Sequence, residues 1–221
     1  THTKTRLPRL TQSKFRKDFC RTYVQQQYPP VLLQLAQTVV QQALSNVSST
    51  SRNTTTTTSF GFLHIRRTDT TQSCNTSLAK MEHFLKCSFS GKHARAYFQD
   101  ETQPPLLMLV ATDEPNTTYR HEILTLVQQQ QSPRSSRIHA VDIDRLIAAV
   151  VQHEIAAGRL PSHYDNNYTI FLVGRILADV SWFTLAQRRT LECPDCDRGA
   201  VEKALRKSPP EDPWRKVSAK D

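Results

Sequence analysis

The sequence of 221 residues is poor in glycine, of which it has only five. It contains neither G-x-x-x-x-G-K-[ST] nor G-x-G-x-x-G, which excludes a Walker-type nucleotide site and the usual dinucleotide-binding loop. The H-E-x-x-H pattern of zinc proteases and the G-x-S-x-G pattern of serine hydrolases are missing too. No apolar run approaches the roughly 20 residues that a membrane-spanning helix needs. A single domain of ordinary size remains as the starting hypothesis.

The net charge of +9 is concentrated at the two ends of the chain. Residues 1–21 have a net charge of +6 and residues 201–221 a net charge of +2, which leaves +1 for residues 22–200. A nearly neutral body argues against a nucleic-acid partner, which an evenly basic domain would favour. We therefore predict a basic N-terminal segment or linker over residues 1–27, a folded domain over 28–200, and a helix end with a disordered tail over 201–221.

Apolar periodicity predicts helices and strands that alternate along the chain. Helical spacing occurs at residues 31–44, 78–85, 119–130, 145–157 and 167–177, with a possible helix at 200–206. Short apolar runs typical of strands occur at residues 60–65, 106–111, 137–143 and 182–187, and polar loops are expected at 48–59 and 128–136. Ser77 is a possible N-cap of the second helix. This alternation predicts an α/β domain with a mostly parallel sheet, whose ligands bind at the carboxyl ends of the strands.

The strand predicted at 60–65 leads directly into a cluster of charged residues. On an extended chain His64 and Arg66 share one face, and Arg67 and Asp69 share the other. Two guanidinium groups at a strand end suit a diphosphate, because each planar fork binds phosphate oxygens in a bidentate manner. The residues alone also fit, and slightly favour, a strand that leaves the core through charged surface residues with a local Arg67–Asp69 pair.

The segment His-Ile-Arg-Arg-Thr-Asp resembles the H-x-R-R-x-D signature of the protein O-fucosyltransferase and α1,6-fucosyltransferase superfamily. The resemblance covers roughly residues 28–196. It implies a Rossmann-like sheet flanked by helices, forming the donor-binding, carboxyl-terminal half of a GT-B-type glycosyltransferase. It also implies that Arg66 stabilises the leaving GDP, with His64 and Arg67 beside it and Asp69 as their support.

The activity implied by the resemblance is the inverting transfer of fucose from GDP-fucose to a hydroxyl group of a protein or glycan acceptor. It requires no cofactor and no metal. Asp142-Ile-Asp144 has the D-x-D spelling of metal-binding transferases, but we interpret it as a strand end followed by a helix cap. The residues do not identify a general base.

Two further stretches resemble the superfamily more loosely. Residues 106–115 are similar to an apolar strand that ends in A-T-D-[DE]-P, which implies a position for Asp113 beside the nucleotide. Without the resemblance, Asp113 is expected to cap the following helix. Asp165 or Asn166 is expected to cap the helix at 167–177 and to aim its amide end at the nucleotide. The superfamily's T-F-S-S segment is absent, and Arg175 is predicted as an additional phosphate contact.

Cysteines and glycosylation sequons favour the secretory pathway, in the Golgi or endoplasmic reticulum lumen. We predict disulfides between Cys74 and Cys87 and between Cys193 and Cys196, which leaves Cys20 without an assigned partner. The alternative for the first pair is two buried thiols, and for the C-x-x-C segment a thioredoxin-type motif. Asn-x-Ser/Thr sequons occur at Asn46, Asn53, Asn75, Asn116 and Asn167. The sequence starts at Thr1, so we expect a fragment or a processed product whose membrane contact, if any, lies in a missing segment.

A second hypothesis is a binding module without catalytic activity. In this interpretation the basic residues 1–21 contact nucleic acid or an anionic membrane surface. The two hypotheses assign ligand binding to different charged residues. The binding-module hypothesis assigns it to the basic N-terminus, and the fucosyltransferase hypothesis assigns it to Arg66 and Arg67.

Overall fold

The computed structural model describes residues 28–48, 60–65, 76–100, 103, 105–130, 137–186, 198–207, 209–210 and 213–216. Four strands lie in this part of the chain: β1 (Phe60–Ile65), β2 (Leu106–Thr112), β3 (Ile138–Asp142) and β4 (Phe183–Ala186). The α-helices described are α1 (Pro30–Ser48), α2 (Leu78–Ser88), α3 (Lys92–Gln99), α4 (Thr117–Gln128), α5 (Ile143–Ala156), α6 (Asn167–Val180) and α7 (Arg198–Leu205). Short 3-10 helices span Ser162–Tyr164 and Pro213–Lys216.

The four strands form one parallel sheet in the order β3-β2-β1-β4. The chain builds outward from β1 to β2 and β3 and then crosses back to add β4 on the other side of β1. This order is typical of a Rossmann-like sheet, and it puts the reversal of strand order between β1 and β4. The predicted α/β fold with a parallel sheet is therefore confirmed.

Helices cover both faces of the sheet. Helices α1, α5 and α6 pack on one face, and α2, α3, α4 and α7 on the other. Successive side chains of β1 pack in two different hydrophobic cores, Phe62 in the core on the α1 side of the sheet and Leu63 in the core on the α2 side. All seven residues of β2 are buried for the same reason, because neither of its faces meets water.

Helix α3 was not predicted from the sequence, because the residue that caps it is distant in the chain. The backbone amide of His93 donates to both carboxylate oxygens of Glu202 in α7, at 3.0 and 3.1 Å. The His93 Nδ1 atom lies 2.6 Å from the same carboxylate. Gly91 permits this approach, since a Cβ atom at position 91 would overlap the Glu202 side chain.

The helix caps differ in part from those predicted. The prediction of Asp113 as a cap is wrong, because α4 begins at Thr117 and Asn116 occupies the N-cap position. Ser77 stands at the N-cap position of α2, but its side chain makes no capping hydrogen bond. The prediction of a strand end followed by a helix cap at Asp142-Ile-Asp144 is wrong in its cap: Asp142 both ends β3 and caps α5, and Asp144 lies in the first turn of this helix. Of the two candidates for α6, Asn166 is the cap.

Part of the predicted disordered tail is ordered in the structure. Pro213–Lys216 form a 3-10 helix, and the half-buried Trp214 packs against the core that contains α6. An indole ring removes a large apolar area from water when it packs in this way, which offsets the cost of ordering the segment. Among the described helices, none is both long and apolar enough to cross a membrane.

Candidate functional site at the carboxyl edge of the sheet

The carboxyl end of β1 lies in the middle of the sheet edge where ligands of this fold class bind. His64 is paired in register with Ala111 of β2 on one side and with Ala186 of β4 on the other. The His64 side chain is exposed at this edge. The predicted residues Arg66, Arg67 and Asp69 follow β1 in the sequence and lie outside the described residues.

The ends of β2 and β3 are joined by the guanidinium group of Arg120, which lies in the first turn of α4. Its Nη1 atom donates to the two carboxylate oxygens of Asp142 at 2.8 and 2.9 Å. Its Nη2 atom donates to the carbonyl of Thr112 at 2.6 Å, and its Nε atom to the carbonyl of Glu114 at 2.5 Å. One planar side chain therefore binds three groups at the carboxyl ends of two different strands.

Asp144 forms a second link between the same two strands. Its Oδ2 atom accepts a hydrogen bond from the backbone amide of Thr112 at 2.8 Å and lies 3.8 Å from Arg120 Nη1. Burial raises the pKa of Asp144 to about 6, and the carboxylates of Asp142 and Asp113 add to this effect. The Thr112 amide and the Arg120 guanidinium oppose the shift without cancelling it. Asp144 therefore titrates close to neutral pH, unlike an ordinary aspartate.

The β2–β3 side of the edge is acidic in character. Asp113 and Glu114 follow β2, and Asp142 and Asp144 lie at the end of β3 and the start of α5. The side chain of Glu114 is buried and accepts from the backbone amide of Asn116 at 2.9 Å, so it organises the loop. The side chain of Asp113 is exposed. Carboxylates in this position accept hydrogen bonds from hydroxyl or N–H groups and repel phosphates.

The remaining predicted donor contacts lie on and before α6. Asp165 is exposed, and its backbone amide donates to the carbonyl of Ser162 at 3.0 Å. Arg175 pairs with Asp179, at 3.5 Å between Nε and Oδ2, in the half of α6 that leads to the amino edge of the sheet. That edge is marked by the hydrogen bond from the Trp182 amide to the Phe60 carbonyl. Arg175 therefore lies in the half of α6 farther from the carboxyl edge, and its phosphate contact stays a prediction outside the proposed site.

Arg120 and Asp144 were missed by sequence reasoning. A basic residue in the first turn of a helix opposes the helix dipole, and this was the one available signal for Arg120. In the sequence, Asp144 stood out only as the second aspartate of a D-x-D pattern. Its role depends on the Thr112 amide, which is 32 positions away in the sequence.

The described part of the chain contains one of the five cysteines and three of the five sequon asparagines. Cys87 is disulfide-bonded. Cys20, Cys74, Cys193 and Cys196 lie outside the described residues, so the pairing with Cys74 stays a prediction. Of the sequon residues, Asn116 and Asn167 are exposed and Asn46 lies in the last turn of α1, whereas Asn53 and Asn75 fall outside the described part.

Within the described ranges, no group of three or more His, Cys, Asp or Glu side chains is arranged to hold a metal ion. The acidic groups at the β2–β3 edge are instead bound by Arg120 and by backbone amides.

Comparison with known proteins adds no relative: no family model, no curated protein and no solved structure matches this chain.

Proposed function

We propose that this protein is a fucosyltransferase-like domain that binds GDP-fucose at the carboxyl edge of its sheet. In this proposal it corresponds to the donor-binding half of a GT-B-type enzyme and transfers fucose to a hydroxyl group of a protein or glycan, with inversion and without a metal. Arg66 is the residue that stabilises the leaving diphosphate, assisted by His64 and Arg67 and supported by Asp69.

The observation that carries the proposal is the position of β1 in the sheet. This strand lies at the reversal of strand order, where nucleotide ligands of Rossmann-like sheets bind. The H-x-R-R-x-D segment begins at His64, the last residue but one of the strand. A motif of two arginines after β1 has a chemical use in this place, because the exposed His64 ends the same strand and guanidinium groups bind phosphate oxygens.

The sequence that follows β4 supports the same assignment. The neighbouring strand β4 ends at Ala186 and is followed in the sequence by Gln187, Arg188 and Arg189. Both strands that flank the reversal therefore lead within a few residues into an arginine pair. Guanidinium groups of this kind bind phosphate oxygens in a bidentate manner, which suits the two phosphates of GDP.

The acidic side of the edge suits the rest of the nucleotide. The exposed carboxylate of Asp113 follows β2, the strand next to β1. Carboxylates at the corresponding strand ends of nucleotide-binding sheets accept hydrogen bonds from ribose hydroxyls. We assign the diphosphate to the β1–β4 side and the nucleoside to the side of Asp113. Asp165 is kept as a further nucleoside contact on the resemblance alone.

We further propose that the protein passes through the secretory pathway, on the evidence of its sequons and of the disulfide at Cys87. GDP-fucose consumption in the Golgi or endoplasmic reticulum lumen is compatible with this route.

The experiment that tests the donor site is titration calorimetry of the full chain with GDP, GDP-fucose and guanosine. We expect Arg66→Ala to weaken GDP binding at least about tenfold, the loss of one charge-assisted phosphate contact, and to leave guanosine binding unchanged. Arg95→Ala is the matched control, because Arg95 is an exposed arginine on α3.

Two results would overturn the donor-site assignment. One is a native protein that binds neither GDP nor GDP-fucose. The other is an Arg66→Ala protein that binds GDP as tightly as the native protein does, with a native circular dichroism spectrum. Salt-sensitive binding to DNA or anionic vesicles that is lost when residues 1–21 are removed would instead favour the binding-module hypothesis.

A further inference from the structure

Two large hydrophobic side chains stand out as exposed in the described part of the chain, and they lie side by side on α6. Tyr168 is 69% exposed and Phe171 is 64% exposed. Their rings are stacked, with centroids 6.4 Å apart and planes inclined by 23°. The opposite face of the same helix is buried in the core through Val173 and Ile176. A stacked pair of bare rings is an unfavourable surface in water.

A glycosylation sequon overlaps this aromatic pair. Asn167 is the first residue of α6 and starts the sequon Asn-Tyr-Thr, whose middle residue is Tyr168 itself. Residues four apart on a helix are neighbours, with Cβ atoms about 5–6 Å apart, so Asn167 and Phe171 share one face. Asn167 is exposed, and its side-chain amide has no hydrogen bond within the described ranges.

We propose that an N-linked glycan on Asn167 covers Tyr168 and Phe171. The inference rests on the proposed secretory route and is independent of fucosyl transfer. In the modification, Asn167 Nδ2 attacks the anomeric carbon of an oligosaccharide carried on a lipid diphosphate. The nitrogen–carbon bond forms, the bond from that carbon to the phosphate oxygen breaks, the amide nitrogen loses one proton, and the lipid diphosphate leaves.

The chemistry of a sugar ring matches the surface. A pyranose presents a face of C–H groups that packs on an aromatic ring, while its hydroxyl groups remain in water. The two exposed rings, whose planes are inclined by only 23°, offer aromatic faces for this kind of contact directly beside the attachment point. The covalent link also makes the contact intramolecular, so little further entropy is lost when it forms.

The burial of Thr169 implies that the glycan is added before α6 has folded. Thr169 supplies the hydroxyl of the sequon and is only 4% exposed, and its backbone amide donates to Asn166 at 2.8 Å. The sequon is thus accessible to the glycosylation enzymes before α6 has folded, and the finished helix retains the sugar on its outer face.

The sequon at Asn116 provides an internal contrast. Asn116 is also exposed, but the residues three and four positions later are Tyr119, which is buried, and Arg120, which is hydrogen-bonded to Asp142. A glycan on Asn116 therefore has no exposed ring to cover. Thr118→Ala removes this sequon and retains the capping side chain of Asn116.

The experiment uses the full chain secreted from a eukaryotic host. Enzymatic removal of the glycan converts the modified asparagine to aspartate, so peptide mass spectrometry reports the occupancy of Asn167. We expect occupancy, and we expect Asn167→Gln to raise hydrophobic-dye binding and self-association several-fold. Thr118→Ala should change neither property. Adding Tyr168→Ser and Phe171→Ser to Asn167→Gln should restore the native values.

Three outcomes would overturn the proposal. They are an unmodified Asn167, an Asn167→Gln protein whose dye binding equals that of the glycosylated protein, and a glycosylated dimer that Phe171→Ser dissociates. The last result would show that a second copy of the chain covers the rings. Asn167→Gln places a good helix former at an exposed position, so the variant is expected to fold, and its thermal midpoint verifies this.

Discussion

Arg120 Nη1 donates hydrogen bonds to both carboxylate oxygens of Asp142, at 2.8 and 2.9 Å. Arg120 belongs to the first turn of α4, whereas Asp142 is the last residue of β3 and the N-cap of α5. The same guanidinium also binds the carbonyl of Thr112 at the end of β2. The pair therefore fixes the carboxyl ends of two strands relative to each other, next to the strand that leads into the proposed diphosphate site.

Arg120→Lys is expected to destabilise the protein although it preserves the charge. A lysine ammonium is a point charge without the planar fork, and it cannot bind Asp142, Thr112 and the Glu114 carbonyl at once. We expect the free energy of unfolding to fall by about 3 kcal/mol, because the pair is largely buried and the carboxylate of Asp142 is left partly unsatisfied. Urea denaturation monitored by circular dichroism measures the change.

The control for this substitution is Arg159→Lys. Arg159 also binds a carboxylate through two atoms, that of Glu154, but this pair lies at the surface. The midpoint of unfolding should not move. Equal losses at positions 120 and 159 would contradict a special role for the Arg120–Asp142 pair.

The strands were predictable because their sequence patterns depend on local burial. The run of seven residues in β2 is apolar throughout because helices cover both of its sides, and such a run indicates a parallel sheet. Successive side chains of β1 point to opposite faces of the sheet, so Phe62 and Leu63 are both apolar because each packs in a different core. Strand bounds were accordingly predicted to within one residue at each end.

The features that were not predicted depend on contacts between distant parts of the chain. Helix α3 has a glycine in place of a capping side chain, and the capping oxygens come from Glu202, 109 positions after His93. At the site, the positions of Arg120 and Asp144 follow from the pairing of β2 with β3. Periodicity within a short window contains no information on such pairings.

Asp144 should give the stability of the protein a recognisable pH dependence. Its pKa in the folded protein is about 6, above the value of 3.8 for the unfolded chain, so the folded state binds the proton more tightly. The free energy of unfolding should therefore decrease as the pH rises from about 4 to about 6, and the contribution of this group should be on the order of 3 kcal/mol. Denaturant midpoints across this range measure it.

Asp144→Asn should remove this decrease. The amide oxygen of asparagine still accepts from the Thr112 amide, but the side chain has no charge to desolvate. We expect the variant to be more stable than the native protein at pH 7 and equal to it near pH 4. Asp165→Asn, at an exposed carboxylate, should follow the native curve. Parallel curves for native protein and Asp144→Asn would refute the assignment.

Gly61 and Gly174 should respond in opposite ways to the same change. A Cβ atom at position 61 would lie 2.7 Å from Cζ of Phe183 and would overlap Met108 Sδ, so Gly61→Ala should cost about 2 kcal/mol through overpacking. Gly174 lies within α6 with nothing within 4 Å of the added atom, so Gly174→Ala should stabilise the protein by about 0.5–1 kcal/mol. Thermal unfolding distinguishes the two, and a shift of the same sign in both would contradict the packing described around β1.

The disulfide at Cys87 should join α2 to the segment that carries the arginine motif. Cys74 precedes this helix, and closing the short loop to Cys87 should contribute about 3 kcal/mol by loop entropy. We expect non-reducing peptide mapping to yield one cross-linked peptide with both residues, and Cys74→Ser to lower the free energy of unfolding by that amount. Cys20→Ser should have no effect. A cross-link from Cys87 to Cys193 or Cys196 would instead tie α2 to the segment after β4.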